Sequence, residues 1–231
     1  MRRWICCLLV LGLTVFPVRA APTGPCVALT FDDGPSGKYT RTLLDGLALR
    51  GAKATFLLCG YRMVQYPDIT QRIFDEGHEI GYHGYSHKTM QTMSRKTIGQ
   101  ELIDSQKLLP EDCDPVFFRP PGGIVTDGVR QVAEVRQLAI LSWSVDPKDW
   151  ATNSVSGIES AVLKNVKDGD IILLHDMSSS SVQAALDIVD VLQKQGYRFV
   201  TVSELARIRK VPIRPGKMYE RFPPKREETV K

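Results

Sequence analysis

Thr30-Phe31-Asp32-Asp33-Gly34-Pro35 sets two carboxylates side by side. Neighbouring carboxylates repel unless a positive group lies beside them, and a metal ion would supply that charge. The same Asp-Gly-Pro run is also ordinary turn chemistry. Further along, His83-Gly84-Tyr85-Ser86-His87 holds two histidines four residues apart. On a helical turn that spacing puts both imidazoles on one face, within reach of one ion. Arg119-Pro120-Pro121-Gly122-Gly123 joins a guanidinium to a loop that is first stiff and then flexible. Such a loop could hold the charge rigidly and let a ligand approach the backbone. Asp146-Pro147-Lys148-Asp149-Trp150 and Leu173-Leu174-His175-Asp176 add carboxylates and a third histidine. Each piece has a plainer reading: a core position for Trp150, a helix cap for Asp176. The fourth histidine, His78, reads as structural.

These runs follow apolar segments of strand length. Val27 to Phe31, Ala54 to Leu58, Glu79 to Tyr82, Val116 to Phe118, Ala139 to Val145, Asp170 to Leu174 and Arg198 to Val202 read as strands. Helical periodicity falls between them, at 39–50, 67–76, 97–109, 126–136, 155–166 and 182–195. Thr201 and Glu204 have the spacing of a capping box. About seven β–α units in this order predict a parallel sheet closed, or nearly closed, into a distorted (β/α) barrel. An open doubly wound sheet is the second choice; both folds gather active residues at the carboxyl ends of strands.

The chain has 231 residues, 43% hydrophobic and 24% charged, a composition that fits one soluble globular domain rather than a disordered or fibrous chain. Arg2 and Arg3 precede an uncharged stretch from Trp4 to Phe16, followed by Pro17-Val18-Arg19-Ala20. This is the layout of a signal peptide, with cleavage expected after Ala20. The stretch is shorter than the ~20 apolar residues that usually span a bilayer. Losing Arg2, Arg3 and Arg19 lowers the formal net charge from +4 to +1, so nothing calls for nucleic acid or an anionic membrane as partner. The expectation is an exported monomer, periplasmic or secreted, with no stable membrane partner after cleavage. Residues 21–210 form the domain, and 211–231, with Pro212, Pro215, Pro223 and Pro224, read as a charged tail that is wrapped on the surface or mobile. Cys26, Cys59 and Cys113 remain after cleavage, an odd number, so at most one internal bridge forms; Cys26 to Cys113 is the better pair.

Taken together, TFDDGP (30–35), HGYSH (83–87), RPPGG (119–123), DPKDW (146–150) and LLHD (173–176) resemble the five ordered motifs of the polysaccharide deacetylases with the NodB homology domain, carbohydrate esterase family 4. The resemblance runs from about Val27 to about Leu205. It implies a metal-dependent hydrolase that removes N-acetyl groups from GlcNAc-containing glycans such as peptidoglycan, chitin-type oligomers or an exopolysaccharide. Asp33, His83 and His87 would hold the metal, Zn2+ by the ligand set, though Co2+ or Ni2+ suit the same atoms. Asp32 would be the general base toward water, with Arg119 paired to it and aiming it. His175 would be the general acid for the leaving amine, and Asp149 would favour its protonated form. A backbone N–H near Gly122 would help hold the oxyanion. Trp150 and Leu173 would wall the pocket for the acetyl methyl.

Three positions depart from the family pattern. Gly84 stands where Ser or Thr is usual, Gly122 where an aromatic is usual, and Lys88 where Pro is common. The first change suggests weaker metal binding, the second a lost groove wall. The alternatives are an O-acetyl esterase on xylan-type glycans, and a glycan-binding relative with little turnover.

Overall fold

The structure is a computed structural model that describes residues 24–224. The signal-peptide reading of residues 1–20 therefore lies outside the described residues. Strand β1 (Cys26–Asp32) is buried along its whole length, as a strand covered on both faces must be. It is followed by α1 (Tyr39–Leu49), β2 (Ala54–Leu58), α2 (Gly60–Gln65), α3 (Pro67–Asp75), β3 (Glu79–Tyr82) and α4 (Arg95–Gln106). Then come β4 (Phe117–Phe118), α5 (Asp127–Val135), β5 (Ala139–Leu141), α6 (Val155–Leu163), β6 (Ile171–His175), α7 (Ser179–Lys194), β7 (Arg198–Phe199), α8 (Val202–Ile208) and β8 (Met218–Tyr219).

The sheet order is β6-β1-β2-β3-β4-β5-β8, with β7 paired to the first residues of β1. Every one of these ladders is parallel. The sheet curls until Val145, just past β5, bridges Ile172 of β6, and the Leu173 N–H donates to the Val145 carbonyl at 2.9 Å. The result is the expected distorted (β/α) barrel. Phe31 and Phe56 stack at 5.3 Å between ring centres in the core, where Leu29, Leu58 and Leu174 are fully buried beside them. Helix starts are set by hydroxyl caps: Ser94, Thr126, Ser154, Ser178 and Thr201 each accept the N–H three residues on.

Several boundaries differ from the sequence reading. Helix α7 starts at Ser179 rather than Val182, because Ser178 caps it and a serine run hides the apolar period. Strand β5 stops at Leu141 rather than Val145, since the carbonyls of Leu141 and Ser142 turn to Arg119. Helix α2 had not been expected at all. Cys26, Cys59 and Cys113 are all free, so the Cys26–Cys113 bridge is not formed. Cys26 lies at the start of β1, where Arg198 Nη2 reaches its sulfur at 3.0 Å.

The segment after residue 210 supplies β8 and more. Tyr219 and Phe222 stack at 5.3 Å and are both buried, and Arg221 pairs with Asp170 at 2.6 Å. The Phe222 N–H donates to the Gly169 carbonyl at 2.7 Å. Gly169 has φ +89, and a Cβ there would lie 2.0 Å from the Phe222 carbonyl oxygen. This segment thus straps the barrel from β5 to the start of β6. Phe222→Ala should cost about 3–5 kcal/mol in urea unfolding, the range for deleting a buried aromatic; a change near zero would mean that the segment is dispensable.

Candidate active site

The five motifs do meet at one end of the barrel. β1 ends in Asp32 and then Asp33, whose φ of +73 swings its side chain away from the sheet direction. β3 ends at Tyr82 and leads into His83. β4 leads into Arg119, β6 ends in His175, and a short 3-10 turn at Asp149–Ala151 follows the β5 crossing. The cavity there, about 460 Å3, is lined by Asp32, Asp33, His83, His87 and His175 on its floor. Gly122, Gly123, Trp143, Asp146, Trp150 and Leu173 form its walls.

Asp33, His83 and His87 each bring one ligand atom, all within 4.8 Å of one another. Asp33 Oδ1 lies 3.2 Å from His83 Nε2 and 2.9 Å from His87 Nε2, yet it is buried without a geometrically sound hydrogen bond. The other side of His83 explains this. Its Nδ1 is 2.7 Å from the carbonyl oxygen of Arg119, which can only accept, so Nδ1 carries the proton. In the neutral ring Nε2 then presents a lone pair to a carboxylate oxygen. Two acceptors facing each other at this distance require a cation between or beside them, so the donor set fits a divalent metal. Burial works to raise the Asp33 carboxyl, and the group stays far below the usual carboxylate range only because positive charge on the two imidazole edges outweighs burial; without a metal, protons on the Nε2 atoms supply that charge.

The two histidines do not share a helical turn. The chain between them is a loop, with Gly84 at φ +79 and His87 at φ +57. The i, i+4 spacing brings the rings to 5.1 Å between centres, but by left-handed backbone rather than by helix geometry.

Arg119 is fully buried and every edge of its guanidinium is used. Nη1 donates to Asp32 Oδ1 at 2.6 Å and to Thr30 Oγ1 at 2.9 Å. Nη2 donates to the Ser142 carbonyl at 2.9 Å and Nε to the Leu141 carbonyl at 3.3 Å. The Trp143 ring covers it, 5.5 Å from the guanidinium carbon. Asp32 Oδ2 is left free on the cavity side, 3.8 Å from His83 Nε2.

Across the cavity, Asp149 is buried and grips His175 twice. Its Oδ1 lies 2.8 Å from Nδ1, and its Oδ2 accepts the backbone N–H at 2.8 Å. Burial alone would lower the His175 imidazolium, but the Asp149 hydrogen bond and charge prevail and lift it to about 9. With Nδ1 committed to Asp149, Nε2 is the atom left for a ligand. Trp150 is 69% exposed, which excludes the core reading and leaves its face to the groove; Leu173 is buried at the cavity wall. Gly122 has φ +72 and no atom within 4 Å of where a Cβ would stand, so that side of the groove is open. At Gly123 the equivalent space is filled by Trp143, 2.5 Å from a Cβ.

His78 stays out of the site: it is buried and its Nδ1 accepts the Ala54 N–H, a structural role as expected. Two residues were missed. Trp143 was read as part of a strand, although an indole between two serines just before Asp146 was the available signal. Asp176 is not a helix cap. It is fully buried, accepts from the Thr40 hydroxyl, and its backbone carbonyl accepts from Ser36 Oγ at 2.6 Å. Its Oδ1 stands 2.6 Å from where a Gly34 Cβ would be, so it braces the loop that carries Asp33. Burial raises this carboxyl, against the Thr40 hydrogen bond, to about 6.

The family model described as polysaccharide deacetylase matches residues 19–140. The chain belongs to the polysaccharide deacetylase family. A peptidoglycan-N-acetylglucosamine deacetylase of Bacillus cereus is 42% identical over 187 residues, covering 78% of this chain and 88% of that protein. Among solved structures, a T48 deacetylase with substrate has a TM-score of 0.79 at 34% identity, over 85% of this chain and 97% of that one. A family 4 acetyl xylan esterase from Clostridium thermocellum, in complex with a cobalt ion, has a TM-score of 0.79 at 35% identity, over 86% and 99%. As a family member the chain is a hydrolytic enzyme.

The buried Arg119–Asp32 pair yields a stability test. Removing one partner of a buried ion pair leaves a bare charge, so Arg119→Met should destabilise the protein by about 3–5 kcal/mol in urea unfolding. The double variant Asp32→Asn/Arg119→Met should recover part of that loss, since the stranded charge is gone.

Proposed function

We propose that this chain is an exported, zinc-dependent deacetylase that hydrolyses N-acetyl groups of GlcNAc-containing glycans, with peptidoglycan the leading candidate. The observation that carries the reading is the set of three convergent donors, Asp33, His83 and His87, flanked by a free carboxylate on one side and a carboxylate-backed histidine on the other. The peptidoglycan deacetylase of Bacillus cereus, the relative quoted above, supports the substrate class.

Asp33, His83 and His87 hold the cation. When bound it supplies Lewis-acid polarisation of the acetyl carbonyl and lowers the pKa of water at the site. Asp32 Oδ2 faces the same space and takes the proton of the attacking water, while Arg119 fixes the carboxylate through Oδ1. On the far side His175 Nε2 gives a proton to the departing amine, which leaves poorly as an anion. Asp149 sets the ring's tautomer and keeps it protonated. The backbone at Gly122 lies open to the developing oxyanion, and Leu173 and Trp150 wall the acetyl methyl. The base and the acid thus stand on opposite faces of one carbonyl. A second reading, O-deacetylation of xylan-type glycans, has support from the acetyl xylan esterase likeness. An ester leaves more easily, so the same residues suffice for it.

Two experiments test the reading. Acetate release from peptidoglycan and chitooligosaccharides should exceed that from acetylated xylan, and should vanish on chelation and return with Zn2+. Activity that survives complete metal removal would sink the proposal. The pH profile tests the acid. His175 must be protonated to act, and its raised value of about 9 predicts a rate that holds below that pH and falls as pH climbs through it. In Asp149→Asn the raising influence is lost, so the alkaline limb should move to lower pH, with the rate on amides falling more than on activated esters. An unmoved limb would remove Asp149 from this role.

A further inference from the structure

We infer that Glu101, on the outer helix α4, is the positioning residue that holds the histidine loop in its metal-binding shape. The inference rests on the reading that Asp33, His83 and His87 bind a cation. Glu101 Oε2 accepts the backbone N–H groups of Tyr85 and Ser86, each at 2.8 Å, and Oε1 accepts the Ser86 hydroxyl at 2.9 Å. All three bonds fall between the two histidines. The opposite edge of the same loop is tied as well: the carbonyls of Gly84 and Tyr85 accept the N–H groups of Gly60 and Tyr61 at 3.0 Å each. The loop is therefore clamped between the first turn of α2 and one carboxylate of α4.

The clamp has something to resist. His87 is a non-glycine residue at φ +57, in the left-handed region that side chains with a Cβ disfavour, and it is 41% exposed in its side chain. His83 has its own anchor, the Arg119 carbonyl, and lies buried. The ring of His87 depends on loop backbone for its place. At Gly84, φ +79, a Cβ would lie 3.4 Å from Glu101 Oε2 and 2.9 Å from Met90 Cε, so the carboxylate and the methionine occupy the space beside this residue. Among the described residues no lysine or arginine pairs with Glu101, so its carboxylate is spent on the loop.

Loss of Glu101 should thus loosen the His87 arm while the Asp33–His83 arm stays. Outer partners of metal ligands typically govern affinity by about 10–100-fold. Co2+ serves as the probe, because its visible absorption reports the ligand set directly. The full-length protein, stripped with chelator, is titrated with Co2+ as wild type, Glu101→Ala, Glu101→Gln, Glu101→Asp and His83→Ala, with thermal unfolding to confirm that each is folded. Alanine is a good helix former, so α4 itself is not penalised. Glu101→Ala should bind Co2+ about 10–100-fold more weakly and with an altered band. Glu101→Gln should recover most of the affinity, because one amide oxygen can still accept both backbone N–H groups. If Glu101→Ala does not fold, Glu101→Asp carries the test: its carboxylate is one methylene short and should weaken binding similarly.

Folded Glu101→Ala or Glu101→Asp with wild-type affinity and spectrum would overturn the proposal. So would a Gln variant as weak as Ala, which would remove the hydrogen bonds as the cause. A wild-type protein that takes up no Co2+, or a His83→Ala variant that binds as well as wild type, overturns the metal reading and this proposal together. Wild-type uptake that depends on His83 but is indifferent to residue 101 overturns this proposal alone.

Discussion

Burial of the Arg119 guanidinium is the constraint around which the site is organised. A charge taken out of water must have its donors met, and here five acceptors or faces meet them: Asp32, Thr30, the carbonyls of Leu141 and Ser142, and the Trp143 ring. These come from β1 and from the end of β5 and the residues just after it, while Arg119 itself follows β4. One side chain therefore ties two distant parts of the barrel mouth together. Its backbone carbonyl then sets the His83 tautomer. The Asp32 carboxylate and the His83 imidazole are oriented by the two ends of the same residue. That coupling explains why β5 breaks off at Leu141: the carbonyls of Leu141 and of Ser142 after it turn to the guanidinium rather than to a neighbouring strand.

Much of this was legible in the sequence, for a physical reason. Buried parallel strands are short apolar runs, and functional polar residues follow their carboxyl ends, so each motif can be tied to a strand from the sequence alone. Asp32, Asp33, His83, Arg119 and His175 stand within a residue or two of the strand ends that were read. What could not be read depends on contacts far apart in sequence. Trp143 gains its place from Arg119, Asp176 from Thr40 and Gly34, and the strap at Phe222 from Gly169. None of these has a local period. The serine run before α7 hid a helix start, because capping residues look like loop until the cap is seen.

The i, i+4 histidine pair shows how a correct outcome can come from a wrong intermediate. Helical spacing predicted that both rings reach one point, and they do. The backbone between them is instead left-handed at Gly84 and at His87. The N–H and carbonyl groups of such a loop must find partners on other elements. The cost of this geometry is met by α2 and α4, whose positions in the fold are thereby linked to those of His83 and His87.

The two glycines that replace bulkier residues of the family pattern act in different ways. The space at Gly84 is taken by neighbours, with Met90 and Glu101 closing on it, so the change is absorbed. The space at Gly122 is not taken: nothing stands within 4 Å of a Cβ there, while Gly123 beside it is sealed by Trp143. The groove is therefore closed on the Trp143 side and open on the other. The walls that remain are the exposed face of Trp150 and the buried Leu173, with no clamp across the Gly122 edge. An open edge leaves room for substituents on neighbouring sugars of a polymer, which a narrow groove would reject. The open edge leaves Asp32 and His175 in place, because each is fixed by a buried partner behind it, Arg119 and Asp149.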